Sequence, residues 1–332
     1  MYLNCHSYFS LRYGTLSPKR LVETAAAAGA SVVCLTDINN TSCSFSFVEW
    51  CEAAGIKPVL GIEYRSDRQF LYIGLARNSN GWFHLNRFLT THSLAQKPLP
   101  HIAPKLPDTF FIYSLDSPKL PDDLAEHEYI GIRPYEVTSL FSSDLKKQLS
   151  KLVILSPVTF LDDQGYKLHK VLQAIDQNSL ITNLDQKPLA HPSAHWHSPE
   201  ELFARYRSYP TIIRNTNLLL EQCSITIQKG LHQNRQSFTG SKSCDLALLT
   251  KLASEGCKRL YGNLEKARQR VHKELAIIEQ QNFCCYFLIT WDIVRYAQLC
   301  GFHYVGRGSG ANSIVAYCLG ITNVEPLELD LY

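Results

Sequence analysis

Ser17-Pro18-Lys19-Arg20-Leu21-Val22-Glu23-Thr24-Ala25-Ala26-Ala27-Ala28-Gly29-Ala30-Ser31-Val32-Val33-Cys34-Leu35-Thr36-Asp37 is a helix, a stop and a strand in one run. The Ser17 hydroxyl can accept from the first turn, and Pro18 suits a position whose N–H has no helical partner. Leu21, Val22, Ala25 and Ala28 fall on one face. Gly29 ends the helix because it enters the left-handed backbone region at little cost. The apolar segment Ser31–Leu35 follows as a strand, with polar Thr36 and Asp37 at its end. Outward from this unit the alternation continues. Strands are expected at Tyr2–Cys5, Pro58–Tyr64, Phe70–Ala76, Thr109–Ser114, Tyr129–Arg133 and Lys151–Leu155, with helices at Ser44–Ala54 and Trp82–Thr91. Seven strands with helical crossovers predict a parallel α/β sheet or barrel.

The chain has 332 residues, enough for a barrel plus an extension or for two domains. With 45% hydrophobic and 19% charged residues it has ample material for a core. A net charge of +3 is too small to argue for nucleic acid on its own. Met1 is followed by polar Asn4 and His6, so no signal peptide is expected, and no apolar run is long enough to span a membrane. The 11 cysteines are scattered and form no CxxC pair, which argues for buried reduced thiols in a cytoplasmic protein.

The proline-bearing stretch Ala95–Asp108 predicts a loop, and residues 163–223 turn mostly helical, with Ser198 and Glu201 forming a capping box. Residues 1–228 are expected to form the first domain, 229–243 a polar linker and 244–332 a helical region. In that region Leu246, Leu249, Leu252 and Leu260 mark one amphipathic helix and Leu264–Gln281 a second. The apolar run Tyr286–Val294 follows, then Gly306-Arg307-Gly308-Ser309-Gly310 before a helix-like Ser313–Cys318. Such a glycine loop lets backbone N–H groups approach phosphate, and the next helix start is expected to add unpaired N–H groups and positive dipole. The alternative is a plain glycine turn. The loop's place near Tyr332 leads us to expect a piece of something larger.

Active sites of α/β barrels lie at the carboxyl ends of strands. There the sequence offers Asn4 and His6, Asp37 and Glu63. Imidazole and carboxylates suit a divalent metal; equally, His6, Asp37 and Glu63 can cap strand ends by bonding neighbouring loops. His191, His195 and His197 superficially suggest a second metal site. Pro192 and the Ser198 cap instead indicate a solvated loop entering a helix. Lys258, Arg259, Lys266, Arg268, Arg270 and Lys273 are diluted by Glu255, Glu265, Glu274 and Glu279, as on a salt-bridged solvent face.

Asn4-Cys5-His6-Ser7, the Leu35-Thr36-Asp37 strand end and Gly55-Ile56-Lys57-Pro58-Val59-Leu60-Gly61-Ile62-Glu63 resemble the polymerase-and-histidinol-phosphatase (PHP) domain of bacterial DNA polymerase III alpha subunits. Cys285–Ile289, Trp291-Asp292 and Gly306–Ser309 through Val315–Thr322 resemble the start of that family's palm domain. The resemblance implies a seven-stranded, distorted TIM-like PHP barrel followed by the mainly helical opening of the palm. It implies template-directed DNA synthesis with Mg2+ in the intact polymerase. Its partners there would be DNA, deoxynucleoside triphosphates and other polymerase III subunits, including the proofreading exonuclease subunit. Arg307, Gly308 and Ser309 would then contact the triphosphate of the incoming nucleotide.

The same resemblance marks departures. The first histidine of the family's His-x-His is Asn4, the following aspartate is matched by Tyr13, and the histidine of Asp-His by Ile38; the late Asp-x-His is replaced around Pro157–Thr159. Only His6, Asp37 and Glu63 remain, as vestigial metal candidates, so a structural barrel without metal-dependent nuclease is expected. A PHP-type phosphoesterase or 3'-5' exonuclease is the alternative. The palm's catalytic aspartates are expected downstream, since Glu325, Glu328 and Asp330 do not match them. The chain by itself is therefore expected to be inactive and to hold no cofactor.

Overall fold

The computed structural model describes residues 2–121, 123–185, 189–227 and 234–331. The chain divides into two compact units, Met1–Lys229 and Gly230–Tyr332. Residues 229–233 of the expected linker lie outside the described residues. Lys242 and Ser243, assigned to that linker by composition, already belong to a helix.

The first unit is α/β. Its strands are β1 (Asn4–Cys5), β2 (Val32–Leu35), β3 (Lys57–Ser66), β4 (Gln69–Ala76), β5 (Thr109–Ser114), β6 (Glu128–Ile132), β7 (Leu152–Ile154) and β8 (Pro157–Val158). Its helices are α1 (Pro18–Ala27), α2 (Ser44–Ala53), α3 (Ser79–Leu94), α4 (Asp163–Gln177), α5 (Pro199–Arg205) and α6 (Pro210–Glu221). The Ser17 hydroxyl accepts from Arg20 N at 3.1 Å and starts α1. Strands β2 to β7 form a six-stranded sheet in sequence order, and β1 pairs with β8. This differs from one seven-stranded barrel. Strand β1 is nonetheless bonded to β2, through Cys34 N to Tyr2 O at 3.1 Å and Thr36 N to Cys5 O at 2.9 Å.

The all-parallel expectation is also corrected, because β4 runs antiparallel to both β3 and β5. Asp67 and Arg68 join β3 to β4 with φ of 47° and 66°, the left-handed pair that a tight hairpin uses. A two-residue link cannot hold the crossover that a parallel pair needs.

Both faces of the sheet are covered. Val33 and Leu35 pack with Leu21, Val22, Phe47 and Ile132, while Cys34 points the other way, to Leu3, Val59, Ile73, Ile112 and Val153.

The second unit is helical: α7 (Lys242–Tyr261), α8 (Glu265–Gln280), α9 (Cys284–Leu299) and α10 (Ile314–Cys318). Leu249, Ala253, Val271, Leu275, Leu288, Ile314 and Val315 form its core. The Ser241 hydroxyl caps α7. Asp245, on the first turn of α7, accepts from Phe238 N and Thr239 N at 2.8 and 2.7 Å, which ties the preceding segment to the helix.

Candidate functional site

Glu63 is the hub of the first unit's site. It lies inside β3 and is 1% exposed, so its charge needs partners. Asn4 Nδ2 donates to Oε2 at 2.8 Å, and His6 Nε2 lies 2.8 Å from the same oxygen. Arg65 Nε donates to Oε1. Burial by itself would raise the Glu63 carboxyl. Arg65, His6 and Asn4 together outweigh it and hold the group well below the usual carboxylate range. An ionised carboxylate only accepts, so His6 Nε2 carries the hydrogen. On the other side of the ring, His6 Nδ1 is 3.0 Å from the Thr159 hydroxyl.

Asp37 does not join this cluster. Its Oδ1 accepts from Ser7 N at 2.7 Å and from the Ser10 hydroxyl at 2.6 Å, and its Oδ2 accepts from the Ser7 hydroxyl at 2.7 Å. The three bonds fold the loop after β1. That loop returns so closely that a Cβ on Gly14 would lie 1.9 Å from Ser7 O, so only glycine fits there. The turn delivers Tyr13, whose ring lies under the Arg65 guanidinium at 4.2 Å. Behind Tyr13 stands His169 of α4. Its Nδ1 donates to Tyr13 O at 2.7 Å and its Nε2 accepts from Ala190 N at 3.0 Å. Ile38 contributes its N–H to the Ser10 hydroxyl at 3.0 Å.

Asn4, His6, Tyr13, Glu63 and Arg65 floor a cleft of about 900 Å³ that also reaches Arg133, Tyr135 and His191. The PHP resemblance implies metals here, and the donor set does not fit them. A cation needs lone pairs, yet Asn4 and His6 present N–H groups to Glu63, Asp37 uses both oxygens to hold the loop, and Glu63 has partners on both oxygens. Among the described residues no group of three or more His, Cys, Asp or Glu could hold a metal.

His195 and His197 lie with ring centroids 4.3 Å apart, but with His191 they form no metal-holding group among the described residues. His191 Nδ1 accepts from Ser193 N at 3.1 Å and its ring stacks on Tyr135 at 4.3 Å. His195 Nδ1 donates to Trp196 O, and His197 Nε2 donates to Ser193 O, each at 3.1 Å.

In the second unit Arg307, Gly308 and Ser309 are exposed, and Gly308 has φ of 76°, which favours glycine. Ser309–Asn312 is a single 3-10 turn leading to α10. The helix start does not offer the free N–H groups expected of it. Ser313 accepts from Ala316 N at 3.1 Å. Glu274 of α8 accepts from the Ser313 hydroxyl at 2.7 Å, from Ile314 N at 3.2 Å and from Val315 N at 3.3 Å. A carboxylate of the chain itself holds that terminus, so any phosphate contact falls to the loop. Glu325 is engaged by the Tyr261 hydroxyl and by Leu327 N.

Sequence reasoning found His6, Asp37 and Glu63 but missed Arg65, His169 and Glu274. Arg65 had a signal: it stands two residues after Glu63 on one strand. His169 and Glu274 act across long sequence separations and had none.

Two family models match the chain. Residues 3–132 match the PHP domain, and residues 247–332 match the bacterial DNA polymerase III alpha NTPase domain. Among curated proteins, the error-prone DNA polymerase of Symbiobacterium thermophilum is 29% identical over 100% of this chain and 35% of its own length. The DNA polymerase III subunit alpha of Halalkalibacterium halodurans is 28% identical over 100% and 32%. That of Haemophilus influenzae is 26% identical over 100% and 33%. This chain thus spans about a third of the length of these relatives. A solved structure, a putative metal-dependent phosphoesterase from Bifidobacterium adolescentis, is 14% identical over 63% of each chain with a TM-score of 0.26, too low to carry an argument. Among the described residues no helix is long and apolar enough to cross a membrane.

Proposed function

We propose that this chain, which belongs with the bacterial DNA polymerase III alpha subunits by the two domains it carries in order, supplies the PHP barrel and the opening of the palm to a cytoplasmic DNA-directed DNA polymerase. The observation that carries the reading is the tandem match on one chain, with relatives aligned over all of it. In the complete polymerase the substrates are primed DNA and deoxynucleoside triphosphates. Mg2+ is held by palm carboxylates, a role for which Glu325 is already spoken for. Arg307, the backbone N–H groups of Gly308 and Ser309, and the Ser309 hydroxyl contact the nucleotide's phosphates. Other polymerase III subunits, the proofreading exonuclease among them, are the expected protein partners.

The barrel's part is structural. A PHP phosphoesterase or exonuclease would need metal-binding lone pairs where Asn4 and His6 present hydrogens. Primer extension by a complete polymerase carrying this region tests the loop. Arg307→Ala and Ser309→Ala are expected to raise the KM for nucleotide about tenfold, the loss of roughly one charge-assisted hydrogen bond, with primer affinity unchanged. An unchanged nucleotide KM would remove the loop from the reading. This chain alone is expected to extend no primer and to release no nucleotide from a DNA 3' end with Mn2+.

A further inference from the structure

We infer that Arg65 is a tethered stand-in for a metal ion: its guanidinium is the cation around which the top of the barrel is built, and the site binds no divalent metal while Arg65 is present. This goes beyond loss of ligands. A metal site that merely decayed would leave Glu63 as a buried charge without a counterion, which is costly. Here the counterion comes from the same strand. Arg65 follows Glu63 by two residues, bonds its Oε1, and has a side chain only 12% exposed.

The surrounding replacements fit an arginine rather than a metal. Tyr13, where the PHP resemblance places an aspartate, gives the planar guanidinium an aromatic face at 4.2 Å. Asn4, where it places a histidine, donates to Glu63 Oε2 at 2.8 Å and to the Thr36 hydroxyl at 3.2 Å. His6 keeps its place but turns an N–H to Glu63 and sets its other nitrogen against Thr159. Each change exchanges an acceptor aimed at a cation for a donor or a ring that serves the Glu63–Arg65 pair. Glu63 has thereby passed from ligand to buried anion, and the site is self-contained.

The inference rests on the structural reading of the barrel, and a separate assay keeps the two distinguishable. Thermal unfolding of the whole chain is followed with and without Mn2+, and Mn2+ binding is read by its EPR signal, which does not report thiol-bound zinc. Wild type is expected to show no saturable Mn2+ binding and the same Tm in Mn2+ and in chelator. Arg65→Ala strands the carboxylate and is expected to lower Tm by roughly 6–20 °C. The double variant Glu63→Gln with Arg65→Met removes both charges and is expected to recover most of that loss. If Arg65→Ala does not fold at all, a folded double variant still supports the pair as a unit.

Three results would overturn the inference: saturable Mn2+ binding to wild type that Glu63→Gln abolishes, an Arg65→Ala loss of less than about 2 °C, or a double variant that falls as far as the single losses added together or fails to fold. Metal-dependent release of nucleotides by wild type that Glu63→Gln leaves intact, with no saturable Mn2+ binding at this site, would instead sink the structural reading of the barrel and leave the Arg65 pairing standing.

Discussion

His169 shows what one buried ring does for the site. It is wholly buried, and as a neutral imidazole it uses both nitrogens, one donating to Tyr13 O and one accepting from Ala190 N. Burial pushes its pKa below the ordinary histidine value, outweighing the hydrogen bond to the Tyr13 carbonyl, which works the other way. Protonation would also set Nε2–H against Ala190 N–H. The unfolded chain takes up the proton near pH ~6.5, while the folded chain resists. The stability His169 contributes is therefore complete above that pH and is lost as pH falls through the folded value. His169→Gln is expected to be less stable than wild type at pH 8, with the gap narrowing towards pH 5.5 in urea unfolding. A gap constant across that range would mean that the ring titrates alike in both states.

At the scale of elements, α10 owes its start to a distant carboxylate. It has only five residues, too few to stand by propensity. Glu274 takes one hydroxyl and two N–H groups at its first turn, and Arg270 pairs with Glu274 at 3.3 Å. Glu274→Ala should cost about 1–2 kcal/mol, the value of a lost cap with donors left unpaired. Hydrogen exchange should quicken in 309–318 and stay unchanged in the core of α7. Uniform quickening across the second unit would show that Glu274 supports the whole bundle instead.

The hairpin of β3 and β4 teaches a second lesson at this scale. Composition identified both strands, but their direction lay in the link between them. Asp67 is tolerated in the left-handed region but Arg68 is a poor advertisement for it, so residue type gave little warning. Link length did: the strands expected at Pro58–Tyr64 and Phe70–Ala76 leave too few residues for a crossover. The departures at Asn4 and Tyr13 were equally visible in sequence. What they were exchanged for was not, because Arg65 meets Tyr13 only once a loop and a strand are folded together.

The distribution of thiols reads the whole molecule at once. All 11 cysteines are free, and only Cys244 and Cys300 are exposed. In the first unit Cys5, Cys34, Cys43, Cys51 and Cys223 are buried; in the second Cys257, Cys284, Cys285 and Cys318 are. Burial pushes the thiol pKa up to about 11 at Cys43 and to about 12 at Cys51, Cys223 and Cys318, so little thiolate is present near neutrality to react. Such thiols become labels for the integrity of each unit. Ellman's reagent at pH 8 is expected to titrate two thiols quickly and the remainder at the rate of unfolding, with all 11 appearing in guanidinium. Mapping the sites by mass spectrometry divides the slow class. Early labelling of Cys257 and Cys318 with Cys5 and Cys34 still protected would place the weaker packing in the helical unit. The order follows from the cores: the first unit seals its thiols between a sheet and its covering layers, whereas the second holds them between a few helices and exposes Tyr286, Ile293 and Tyr296 along α9. Labelling of Cys5 or Cys34 ahead of Cys257 would contradict that order and locate the weakness in the first unit.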